Sequence, residues 1–249
     1  HEAWVLPERF TYTLREWYID DLDDGKSKGD KHERDIRLLE QDLAEKPDDG
    51  RTLFYLGNTY EVIGNSDKSL ELWNKRLELK DETTEEYWFT LYHMGRCYLK
   101  LAEKARLKIN AYNSQEGSDL KENKTLFEKY EGLAVTTLLK SYNLRPHRVE
   151  ALLYLAEYYI EHQNHALAYM FAKVCDKIPM PTKEILFVNE FMYKYGVKNN
   201  LSITSIYNKK YEEGYNACED LLQMRNTPDT ICNDTLRNRT YYIDSLGSF

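Results

Sequence analysis

Three stretches of this chain carry the same helical signature, and that recurrence constrains its fold more than any other feature. Leu53, Leu56, Gly57 and Tyr60 fall at i, i+3, i+4 and i+7. So do Leu91, Met94, Gly95 and Tyr98, and so do Leu152, Leu155, Ala156 and Tyr159. That spacing sets each quartet on one face of an α-helix. In every case the third member is Gly or Ala, small enough for a neighbouring helix to come close. A second amphipathic segment follows each one. Gly64 and Asn65 break the first helix, and Ser69, Trp73 and Arg76 then share a face. The same role falls to Ala134 and Leu138 with a closing Pro146, and to Ala168, Ala172 and Cys175. A helix pair built this way leaves an apolar face that only another pair covers.

Ala134 and Ala168 lie 34 positions apart, the period of the tetratricopeptide repeat, which these segments resemble. Gly95 and Ala134 are 39 positions apart, where the regular repeat has about 12. An insertion of about 27 residues around 103–125 is therefore expected. The polar run 110–124 (NAYNSQEGSDLKENK) is its expected tip, a loop or a helix extension. The pattern persists at both ends. ERDIRLLEQDLAEKPDD reads as a second helix closed by Pro47, and NNLSITSIYNKKYEEGYNACEDLLQ as a degenerate pair with Gly214 in a small-residue slot. The expected fold is mainly α, a right-handed tetratricopeptide-like array over residues 29–249. Residues 1–28 differ. RFTYTLREWYIDDL is rich in Thr and aromatics and partly alternates, which predicts a short β remnant. Lone strands need partners, so a sheet upstream of His1 is expected. The chain opens on His rather than Met, which also leads us to expect a piece of something longer or a processed form.

Composition narrows the function. The net charge of −8 argues against a nucleic-acid backbone as partner. No run of about 18 apolar residues predicts a membrane span, and no signal-peptide pattern occurs. Cys97, Cys175, Cys218 and Cys232 form no C-x-x-C pair. They are expected to be free thiols in a reducing, cytoplasmic setting. Sequons at Asn123, Asn200, Asn233 and Asn238 carry little weight without a leader.

The stretch YIDDLDDGKSKGDKHERDIRLL, residues 18–39, is the most charged. As a calcium loop anchored on Gly25 it fails, with Leu22 third and Lys31 twelfth. Its D-x-D triplet, Asp21 to Asp23, has too short a chain before it for a nucleotide-binding half. Read alone, it is an acidic turn leading to a helix start. As a longer string it resembles the segment after the catalytic domain of a group of family 2 glycosyltransferases. In that group D-G-G-x-K-x-D-K-x-x-R-D-I-x-L-L leads into F-Y-L-A-x-S-Y and a tetratricopeptide-like tail. Asp24, Gly25, Lys28, Asp30, Lys31, Arg34, Asp35, Ile36, Leu38 and Leu39 match, while Lys26 and Gly57 depart. The resemblance implies that the donor-binding half lies upstream, with a nucleotide sugar and Mn or Mg belonging to that parent. No cofactor is expected in this chain. The opening His-Glu is similar to the pair that closes such catalytic domains. By that resemblance His1 is a metal or diphosphate contact and Glu2 lies near the acceptor.

The remaining candidates are on the helices. Positions that line the inner face of tetratricopeptide arrays fall, by repeat phase, on Phe54, Asn58, Phe89, Tyr92, Arg96, Leu153 and Glu157. Aromatic and polar residues together suit an extended peptide, a partner protein or an acceptor chain. A clamp for a terminal carboxylate would want a lysine near position 54, where Phe stands. His162 and His165 form an isolated H-x-x-H without further ligands in sequence. Walker, G-x-S-x-G and G-x-G-x-x-G motifs are lacking. Two functions follow: the tail of a family 2 glycosyltransferase that binds acceptor or partner, or a free-standing tetratricopeptide interaction adaptor.

Overall fold

The computed structural model describes residues 31–111, 118–184 and 186–247. Among them the chain forms ten α-helices and no strand: α1 (Lys31–Glu45), α2 (Gly50–Val62), α3 (Ser66–Glu78), α4 (Glu85–Ala111), α5 (Ser118–Leu144), α6 (Glu150–Glu161), α7 (His165–Cys175), α8 (Val197–Thr204), α9 (Tyr211–Gln223) and α10 (Asp229–Leu246). A π-helical turn, Met192–Gly196, runs directly into α8. The fold is a tetratricopeptide-like array of helix pairs. The expected β remnant, with His1, Glu2 and the D-x-D triplet, lies outside the described residues.

Local chemistry sets the ends of these helices. Asp49 accepts the Thr52 backbone N–H at 2.7 Å, Asn65 that of Lys68 at 3.2 Å, and Asn164 that of Leu167 at 3.4 Å. Short polar side chains there satisfy donors that a first helical turn leaves free. The turns inside three pairs share one geometry. Gly64, Gln163 and Lys209 adopt the left-handed conformation, with φ of 82°, 58° and 56°. The next residue in each turn donates its N–H back across the helix end: Asn65 to Tyr60, Asn164 to Tyr159, Lys210 to Ser205, at 2.8–2.9 Å. That bond closes a helix and reverses the chain.

The small residues do the work the pattern predicts. A Cβ on Gly57 would lie 2.3 Å from Trp73 Nε1, and one on Gly95 would lie 2.5 Å from Leu138 Cγ. So the first helix of a pair lets a large side chain of the second sit against its backbone. Ser69, Ala168 and Gly214 are each the fourth residue of a second helix, and on Gly214 it is the ring of Tyr242 in α10 that packs. Trp73 and Trp88 are wholly buried, each worth roughly 2–3 kcal/mol of apolar burial.

Every helix packs on its neighbours in sequence, but only one set also touches its next-but-one members: α2 with α4, α4 with α6, α6 with α8, and α8 with α10. These even-numbered helices form the inner layer, and α3, α5, α7 and α9 form the outer one. The described part of the expected insertion is helical. It lengthens α4 and α5 to 27 residues each, against 13 in α2 and α3.

Candidate functional site

Repeat phase sets equivalent residues in rows across the inner layer. Three residues before each small residue stand Phe54, Tyr92 and Leu153, which are buried in the main core. One residue after each small residue stand Asn58, Arg96 and Glu157, which are half-buried. The second row runs across α2, α4 and α6. The first row, and Phe89 beside it, are covered: Phe54, Phe89, Tyr92 and Leu153 are all buried. Phe54 meets Phe89 edge-on at 6.0 Å. The ring of Phe187, from the connection between α7 and the π-helical turn, lies over both, 6.2 Å from Phe54 and stacked 4.5 Å from Phe89. Neighbouring chain therefore covers what the repeat leaves open.

Arg96 is the middle member of that row. Its guanidinium sits 5.3 Å from the Tyr92 ring and 5.2 Å from the Tyr154 ring. Stacking on two aromatic faces holds a cation in place without neutralising it. Burial works against its charge, but Tyr92, Glu61 and Tyr154 outweigh it and keep the group protonated. Its Nε is buried and without a hydrogen-bond partner, and Arg96 makes no ion pair among the described residues.

The neighbours of Arg96 divide by charge. Burial alone would raise the Glu61 carboxyl, but His93 and Lys100 outweigh it and bring it down to about 2. Lys100 holds Glu61 at 2.7 Å. His93 Nδ1 also faces Glu61, and burial lowers this imidazole more than Glu61 raises it. Since a carboxylate only accepts, Nδ1 carries the proton and Nε2 is a bare acceptor. Nε2 is buried without a partner, as is Oδ1 of Asn58. On the other side, burial and then Glu161 push Glu157 up to about 7 from an ordinary 4.5, against the pull of Arg96. Glu157 lines a cavity of about 380 Å³ between α4 and α6, together with Lys100, Glu103, Tyr154, Glu161 and His162 among others. Sequence phase missed His93, Glu61, Lys100 and Tyr154, because they sit beside the inner-face positions and swing in only once the helices cross.

Glu157 gives a pH test. Its folded pKa is raised, so the unfolded chain releases its proton first and stability falls as pH climbs from about 4.5 to about 7. Glu157→Gln removes that penalty. It is expected to stabilise the chain by about 2 kcal/mol at pH 8, with the gain vanishing near pH 4.5. Urea melts of both proteins at the two pH values check this; an equal difference at both would refute the burial argument.

Other candidates resolve into structure. His162 bonds Tyr158 O at 2.7 Å and faces Glu103 at 3.2 Å, while His165 stacks on Tyr207 at 3.6 Å, so the H-x-x-H residues face different neighbours. Among the described residues no three His, Cys, Asp or Glu are placed to hold a metal ion, and no helix is long and apolar enough to cross a membrane. All four cysteines are free. Burial pushes the Cys175 thiol up, and the Cys218 thiol up to about 11, so neither is a thiolate at neutral pH.

No family model matches the chain. It is similar to outer dynein arm-docking complex subunit 4 of Xenopus laevis, 32% identical over 94 residues, which are 37% of this chain and 17% of that protein. The same subunit of Danio rerio is 35% identical over 86 residues, 34% of this chain and 16% of that one. The match thus spans about a sixth of those relatives' length. Among solved structures, the crystal structure of MamA aligns over 93% of this chain and 98% of its own, at 18% identity and a TM-score of 0.43.

Proposed function

We propose that this chain is a protein-interaction module that holds an extended polypeptide segment across its inner layer, with an acidic side chain of the partner on Arg96. The observation that carries this is Arg96 itself: a half-buried cation between two tyrosine rings, with its Nε unpartnered and no carboxylate on it. A carboxylate meets a guanidinium through a two-pronged fork, which gives geometry as well as charge. Glu61 does not fill that role because Lys100 and His93 hold it. Asn58 and Glu157 flank Arg96 in the row and suit the polar main chain of an extended segment. Phe54, Phe89, Tyr92 and Leu153 support that row from beneath. The partial likeness to a docking-complex subunit favours a protein partner over a small molecule.

Random peptides displayed on phage and selected on the full chain test the reading. Enriched sequences are expected to share an acidic residue. Arg96→Gln is expected to weaken them at least tenfold, and Lys140→Ala, on an exposed part of the outer layer, to leave them unchanged. Enrichment indifferent to Arg96 would sink the proposal.

A second reading rests on the ten matches between Asp24 and Leu39. It makes this module the tail of a family 2 glycosyltransferase, with the groove serving an acceptor, residues 1–28 the end of the catalytic domain, and His1 and Glu2 at its edge. The metal and nucleotide sugar would then belong to the parent. On that reading the purified chain turns over no UDP- or GDP-sugar, and measurable hydrolysis would overturn it.

A further inference from the structure

The connection between α7 and the π-helical turn, residues 176–191, is far longer than the three- to six-residue connections inside the pairs. Part of it crosses the N-terminal ends of α4 and α6. There Glu184 anchors it on Arg145, on His147 at 2.8 Å and on Arg148 at 3.4 Å, and past Glu184 it is held by main chain and by one ring. The Leu186 N–H donates to Glu85 Oε2 at 2.7 Å. Arg148 donates to the carbonyls of Leu186 and Phe187, both at 3.3 Å. The Asn189 N–H reaches Glu150 at 3.4 Å. Between these contacts the Phe187 ring drops over Phe54 and Phe89.

This is how a groove holds a foreign peptide: polar groups on the backbone and a slot for one side chain. Past Glu184 the strap is also loosely bound. Phe187 remains 46% exposed and adopts a left-handed φ of 51°, which a bulky residue resists. Three of the four main-chain bonds are 3.3 Å or longer. The groups that hold it do not need it. Arg148 keeps Glu150 at 2.7 Å and the Trp88 face at 4.0 Å, and Glu150 keeps Tyr193 at 2.9 Å. Lifting residues 186–189 alone, with Glu184 left on Arg145 and Arg148, therefore breaks no buried ion pair.

We infer that the Phe54–Phe89 slot is a recognition site for an aromatic residue of an extended polypeptide, occupied in this state by the chain's own Phe187. A partner segment takes the slot by displacing residues 186–189 of the strap, and Arg148, Glu85 and Glu150 read its main chain as they now read those residues. The inference deepens the interaction reading above by naming a second anchor, an aromatic one, beside the acidic anchor at Arg96.

The test uses the full chain with Phe187→Ala, which vacates the slot, and a synthetic peptide of residues 182–191 with a fluorophore. The variant is expected to bind this peptide at least tenfold more tightly than the unaltered chain does. The same peptide with Ala in place of its Phe187 is expected not to bind. A second variant, Leu186→Pro with Phe187→Ala, removes the donor to Glu85 and loosens the strap further, so that a strap backbone left in place does not mask the site. Circular dichroism confirms that both variants are folded. Equal binding by variant and unaltered chain, or no binding to either folded variant, overturns the inference. Peptides selected for Arg96 bear on the other reading separately. If they bind and the strap peptide does not, the slot falls and the groove stands; the reverse result leaves the slot and removes the acidic anchor.

Discussion

Replacing Arg148 with methionine is expected to destabilise the chain by about 3–5 kcal/mol, the usual cost of leaving one half of a buried ion pair alone. Arg148 is fully buried, and Glu150 is 1% exposed. The guanidinium grips the carboxylate from Nε and Nη2 at 2.7–3.1 Å, lies 4.0 Å over Trp88, and reaches Glu184 at 3.4 Å. Methionine fills the volume but removes the charge. Glu150 is then left with the Tyr193 hydroxyl at 2.9 Å and the long Asn189 contact, too little for an ionised group in the core. Denaturation in urea measures the loss. The double variant Arg148→Met with Glu150→Leu decides its cause, since replacing both partners with apolar groups is often close to neutral. Recovery of most of the stability places the cost in the orphaned carboxylate. A single-variant loss under about 1 kcal/mol would mean that the pair is solvated after all.

The second large effect is steric. Gly57→Val is expected to cost about 3 kcal/mol, within the range for forcing added methyl groups into a packed core. Even a bare Cβ would lie 2.3–2.9 Å from three atoms of the Trp73 indole, and Trp73 is 0% exposed with no room to retreat. For a chain of this size that corresponds to a melting temperature lower by about 6–12 °C. Gly132→Val is the control. It sits in a helix with nothing within 4 Å of the added carbon, so no clash is expected there and the melting temperature should hold or rise slightly. Equal losses at the two sites would show that the Gly57–Trp73 contact is not the cause. Trp73→Leu in the Gly57→Val background should return part of the stability, because the two sites share one space.

How much of this was legible beforehand follows from the range of each interaction. The quartets around Gly57, Gly95 and Ala156 announced helix pairs, because side chains three and four apart meet on any α-helix wherever it lies. Pro47 marked the end of α1, and the three small fourth residues marked the second helices. The insertion was visible as excess length, but its form was not. Two 27-residue helices arise because each extension packs along the other, a contact that neither shows alone. Phase set Asn58, Arg96 and Glu157 in one half-buried row, while it did not show that Phe54, Phe89, Tyr92 and Leu153 are buried.

Local spacing by itself determined the repeat, the inner and outer positions, and the slots for small residues, because these depend on neighbours within one or two helical turns. Only the tertiary structure decided what covers the inner face and what charge it carries. Phe187 reaches Phe89 across nearly a hundred residues of chain, Arg148 acquires its meaning from Glu150, Trp88 and Glu184 together, and Glu157 is raised to about 7 by burial that no local pattern encodes. Desolvation and long-range contact are properties of the packed array, so the residues that carry them looked ordinary in sequence.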